Sequence, residues 1–207
     1  MRQARIWKNP TKVIPNIKVW IRQKRQMCFG MGEYYLDIET TGLDPYTDKI
    51  ITIQYQELEQ KTGKAKGQLH ILKEWELGES GIIREFSNTP ISSNYKFDFI
   101  PVGRNLKFEH KFLQKKNYRI SIFDRPCIDL EPIMVLMNNG EFKNSGLDMM
   151  IEKNQSGGSI PEWYKMGQFE KIESYIRQET RSFVDFFSWL CSEMPALHKK
   201  FRHARGF

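Results

Sequence analysis

The sequence predicts a mixed α/β domain, a sheet with helices packed on it. Three observations carry that expectation. "YYLDIE", "IITIQYQEL" and "KGQLHIL" are successive runs rich in aromatic and β-branched residues, separated by turn-like segments, as in an antiparallel meander. "FDFIPVG" is a further apolar strand and runs straight into the amphipathic "RNLKFEHKFLQKKN". The rest of the chain is dominated by helical periodicity. At 207 residues, one domain can bury a substantial core.

Residues 1–32 read as a basic arm with a helix near 17–26. "TTGLDPYTDK" is the turn after the first strand, and "EQKTGKAKG" joins the second strand to the third. "EWELGESGIIREF" reads as one helix. In "RNLKFEHKFLQKKN", Asn105 is placed to cap the helix, and Phe108 and Phe112 to anchor it on the sheet. "CIDLEPIMVLMNN" and "SGLDMMIEKN" read as helices, "NQSGGSIP" as a loop, and "QFEKIESYIRQETRSFVDFFSWLCSEM" as the longest helix. The organisation is then arm 1–32, folded domain 33–193 and basic tail 194–207.

The composition, 40% hydrophobic and 28% charged, is that of a water-exposed globular domain. No apolar run approaches the roughly 20 residues of a membrane span. No signal-type apolar segment is present, which predicts a cytoplasmic protein without membrane partners. Three cysteines, far apart and with no C-x-x-C pair, indicate neither a zinc knuckle nor a disulfide framework. The charge is uneven: +8 in residues 1–30 and +4 after Glu193, against +7 overall, leave −5 for the body. Cationic ends on an acidic body suit a polyanion partner, or equally are solvated termini.

The first strand poses the chemical question. Alternate side chains of a strand share a face. Asp37 and Glu39 therefore lie together, opposite Leu36 and Ile38. Two carboxylates so close raise each other's pKa. A hard divalent cation between them removes that cost. In the last helix, Ile172, Ile176, Phe183, Phe187 and Leu190 form one buried stripe. Glu179 continues it, with Tyr175 one turn earlier on the same face. A glutamate there needs a partner, a proton or a metal, unless the stripe is offset and Glu179 pairs with Arg181 or Lys171. Glu109, in the first turn of its helix, complements the helix dipole and by itself needs no other role. His110 reads as a surface residue, and Trp75 as a packing anchor.

"YYLDIETTGLDP", "VGRNLKFEHKFL" and "YIRQE" resemble, in order and spacing, the three motifs of the DEDD (DnaQ-like) 3′→5′ exonucleases, tyrosine subtype. The resemblance covers roughly residues 33–192. It implies a ribonuclease-H-like fold: an antiparallel three-strand meander extended by parallel strands, with flanking helices. It implies phosphodiester hydrolysis at nucleic-acid 3′ ends with two Mg²⁺ or Mn²⁺ ions, about 3.5–4 Å apart in such sites. By position, Asp37, Glu39, Glu109 and Glu179 would hold the metals, and Tyr175 would orient the attacking water. Thr40, Thr41, Gly42, Asn105 and Phe108 would bind the end of a single strand of DNA or RNA. The basic arm, outside the resemblance, is available for a protein partner.

Two positions depart from the pattern. Glu109 and Glu179 stand where the family has Asp. Glutamate is one methylene longer, and Mg²⁺ demands near-ideal octahedral geometry. The departures leave three outcomes open: a shifted second ion, a preference for the more tolerant Mn²⁺, or loss of turnover. The alternative is a nucleic-acid-binding or accessory protein on the same fold, with weak or lost catalysis.

Overall fold

The computed structural model describes residues 32–143 and 157–205. The helices expected near 17–26 and over "SGLDMMIEKN" fall outside those residues. The first strand, β1 (Glu33–Thr40), pairs antiparallel with β2 (Ile50–Leu58), and β2 with β3 (His70–Lys73). On its other side β1 pairs parallel with β4 (Ile100–Gly103), and β4 with β5 (Ile128–Asp129). The order is β3-β2-β1-β4-β5, a mixed sheet with the meander at one end. The α/β expectation is met.

Helices cover both faces of the sheet. Against Leu36, Ile38 and Ile53 pack α2 (Glu79–Ser87), through Ile82 and Phe86, and α3 (Leu106–Lys116), through Leu106, Phe112 and Leu113. Phe112 is fully buried, the anchor its spacing predicts. Truncation of such a residue to Ala costs about 3–5 kcal/mol. The other face, with Tyr35, Leu58 and Val102, is covered by α4 (Glu131–Met137) and α6 (Phe169–Ala204). Ile172, Ile176, Phe183, Phe187 and Leu190 of α6 are all buried, as the stripe predicts. Ile160 of the short helix α5 (Ile160–Lys165) joins Ile51, Ile172 and Ile176. Trp75 stacks on Phe169 with ring centroids 4.5 Å apart, a packing anchor as expected.

The structure corrects four local readings. "EWELGESGIIREF" is two helices, α1 (Glu74–Leu77) and α2, because Gly78 between them adopts φ 70°. The helix expected over "CIDLEPIMVLMNN" begins only at Glu131, since Ile128 and Asp129 extend the sheet. "NQSGGSIP" is less loop than expected: a 3₁₀ turn spans Gly157–Ser159, and α5 starts at Ile160. The longest helix runs on through 194–204, which are exposed.

Candidate active site

The strand period places the first acids. Asp37 and Glu39 lie on one face of β1, directly across from Gln54 and Thr52 of β2. A register shift between Glu39 and Thr40 ends the regular pairing; such bulges re-aim side chains beside sites. Gln54 Nε2 donates to Asp37 Oδ2 at 2.8 Å, and Thr52 Oγ1 donates to Gln54 Oε1 at 2.9 Å. The Tyr35 hydroxyl also donates to Asp37 Oδ2, at 3.2 Å. Thr52 and Gln54 are both fully buried. Two buried polar side chains therefore serve to hold one carboxylate.

The helical stripe brings the third acid. Carboxylate oxygens of Asp37, Glu39 and Glu179 lie within 4.8 Å of one another. Glu179 thus faces the site and is not a flank residue of the helix. Tyr175, one turn earlier, is 6% exposed. Burial first, then the charge of Glu179 and a hydrogen bond to it, push the Tyr175 hydroxyl far above the ordinary tyrosine range. At neutral pH it is a donor and not a base.

Glu109 enters from α3, outside that trio, and after burial the charge of Asp37 acts on it most. Its side chain is 4% exposed, and Oε2 is buried without a hydrogen-bond partner among the described residues. Burial, then the Asp37 charge, push its carboxyl well above the usual range; Asp37 also accepts a hydrogen bond from the protonated form. Asp37 itself is raised to about 7, by burial and then by the charge of Glu179, against the hydrogen bonds from Gln54 and Tyr35.

An acidic cluster of this kind carries an unmet electrostatic cost. An all-oxygen donor set suits Mg²⁺ or Mn²⁺, and the orphaned Glu109 Oε2 is the kind of atom a cation satisfies. The residues fit a divalent metal.

Residues not anticipated from the sequence build this geometry. Asn105 has φ 54° and makes no side-chain cap, contrary to its expected role. Asp129 does that work instead: Oδ1 accepts from Asn105 N (2.8 Å) and Glu131 N (3.0 Å), and Oδ2 from Leu106 N (3.0 Å). It thereby ties the starts of α3 and α4 to the end of β5. Gly103 allows the approach, since a Cβ there would lie 2.8 Å from Leu36 O and 2.6 Å from the Leu106 side chain. His110 is half-buried and not a surface residue: Nδ1 accepts from Ile122 N at 3.4 Å, and the ring packs on Phe123.

The turn after β1 is closed by its own hydrogen bonds. Asp48 accepts from Thr41 Oγ1 (3.2 Å) and from Asp44 N (2.9 Å), and Thr41 N donates to Lys49 O (3.0 Å). A Cβ on Gly42 would come within 2.4 Å of Asp48 Oδ2, so any larger residue there must displace the Asp48 carboxylate. Thr40 is buried, with its hydroxyl bonded to Gly42 O. Phe108 is half-buried beside Phe112.

No protein-family model matches the sequence, and no curated protein does. Solved structures do. A crystal structure of E. coli exonuclease I in complex with a dT13 oligonucleotide matches with a TM-score of 0.50 at 13% identity, over 84% of this chain and 44% of that one. A second, with a 5cy-dA13 oligonucleotide, matches with a TM-score of 0.41 at 12% identity, over 53% and 30%. The chain spans less than half the length of the exonuclease I chains it matches. At such identities the likeness speaks for the fold: the five-stranded mixed sheet with flanking helices matches a ribonuclease-H-like exonuclease fold.

Proposed function

We propose that the protein is a metal-dependent 3′→5′ exonuclease acting on single strands of DNA or RNA. The observation that carries this reading is the convergence of the Asp37, Glu39 and Glu179 carboxylates, with buried Glu109 against Asp37. The fold shared with exonuclease I, seen in complex with a dT13 oligonucleotide, supports the choice of substrate class.

Asp37, Glu39, Glu109 and Glu179 would hold two Mg²⁺ or Mn²⁺ ions, which when bound stabilise charge on the scissile phosphate and supply a nucleophilic water. The chain's own part is positioning. Gln54 and Tyr35 fix the rotamer of Asp37 and favour its charged form. Asp129 holds the first turn of α3, and so the direction in which Glu109 enters. The Tyr175 hydroxyl keeps its proton and orients water beside Glu179. The hydrogen-bonded turn at Thr40, Thr41 and Gly42, with Asn105 and Phe108, frames the strand end. The longer Glu109 and Glu179 make Mn²⁺ the better cofactor.

The test is a time course on single strands of DNA and RNA labelled at either end, with Mg²⁺, Mn²⁺ or chelator. Stepwise shortening from the 3′ end, with metal only, is expected. Binding without shortening under every condition would leave the accessory-protein alternative.

A further inference from the structure

A groove of about 640 Å³ lies between the turn after β1 and helix α3. One wall is Leu43, Pro45 and Tyr46; the other includes Lys107, Phe108, Lys111 and Lys115. No acid lines it. The lysines recur every four residues, so their stems rise about 6 Å per step along one side of the helix. That is the order of the spacing between successive phosphates on an extended strand. Glu109 lies on the opposite, buried face of the same helix, so the lysine row occupies its outer side.

The three lysines differ from the next one. Lys116 is committed to Glu79 Oε1 and Asp48 O, each at 2.9 Å. Lys107, Lys111 and Lys115 are exposed, and among the described residues none is ion-paired with an acid. Lys115 Nζ instead sits 4.0 Å from the centroid of the Tyr46 ring. Tyr46 is 74% exposed and Leu43 85% exposed. A row of cations beside one exposed ring suits one chemistry: phosphates along the lysines and a base against the aromatic face.

The geometry points to this groove as the track of a single nucleic-acid strand: the backbone runs along Lys107, Lys111 and Lys115, and a base stacks on Tyr46. This deepens the proposed function and rests on it for the choice of a single strand as the occupant.

The test is fluorescence anisotropy of labelled oligothymidylate and oligouridylate in chelator, over a salt series, so that nothing is hydrolysed. The probe variant is Lys107→Gln/Lys111→Gln/Lys115→Gln, which keeps helix propensity nearly constant; far-ultraviolet circular dichroism checks its fold. Each lysine lost from a single strand flattens the slope of log K against log salt by about 0.7, so the triple variant should lose about 2. Tyr46→Ala should weaken binding about tenfold and leave the slope unaltered. Wild-type slope in the triple variant, or no binding of either strand by the wild type, overturns the track. The DNA and RNA arms identify which sugar the groove takes. A protein that binds through the lysines but never shortens a strand loses the nuclease reading and keeps the track. One that shortens strands while the triple variant shows the wild-type slope keeps the nuclease reading and loses the track.

Discussion

Gln54 Nε2 donates a 2.8 Å hydrogen bond to Asp37 Oδ2 directly across the β2–β1 pair, and Thr52 fixes the orientation of that amide. A fully buried glutamine is thus spent on one carboxylate. Such supporting groups typically control metal affinity by 10–100-fold. Gln54→Leu should therefore weaken Mn²⁺ binding by about 10–100-fold in calorimetric titration. Unaltered affinity would mean that Gln54 only packs.

The pH dependence of stability follows from the same cluster. Asp37 is raised to about 7, and Glu109 well above the usual range. Both titrate near 4 in an unfolded chain. Without metal, the folded protein holds more protons than the unfolded chain from about pH 4 upward, until the raised groups ionise. Stability is therefore greatest at the acid side of this window and falls as pH rises through about 7, by a few kcal/mol. The Tm in chelator should drop between about pH 5 and pH 8, and Mn²⁺ should restore it at the higher pH. A Tm that is level or rises across this window would contradict the cluster's electrostatics.

Glu109 shows the same tension in a single residue. Glu109→Gln replaces a buried acid by a neutral group of similar shape. At pH 8 in chelator it should raise stability by about 1 kcal/mol or more, while nuclease activity is lost. Denaturant melts and nucleotide release, measured on one preparation, check both halves. A variant that is destabilised in chelator would show that the buried charge is not a burden.

Tyr175→Phe keeps the buried ring and removes only the hydroxyl. If that hydroxyl orients water, kcat should fall by about 10²-fold, with KM little altered. A rise in KM at constant kcat would assign the hydroxyl to strand binding instead.

The parts of this site that could be read from the sequence are those with a period. Asp37 and Glu39 are legible because β1 alternates, and Glu179 because α6 repeats its apolar positions every three to four residues. Gln54 carried a signal too: "TIQYQ" alternates polar residues on one face of a strand whose other face is apolar. The same alternation describes a solvated face, and it is the pairing with β1 under α6 that buries Thr52 and Gln54 against the acids. Asp129 had no comparable signal. Its strand is two residues long and merges with a helical pattern. Asn105 matched the preferences of an N-cap, but its left-handed backbone gives that role to a carboxylate 24 residues away in sequence. His110 was placed by helix phase alone, which could not show that the segment near Ile122 folds back over it.

The central claim is that a metal held by Asp37 and its neighbours hydrolyses the end of a strand. The most direct measurement compares the wild type with Asp37→Asn for nucleotide release from a 3′-labelled single strand in Mn²⁺. Release by the wild type that stops with chelator and is absent in Asp37→Asn is the predicted result. Equal release by the two proteins, or release that persists in chelator, would contradict it.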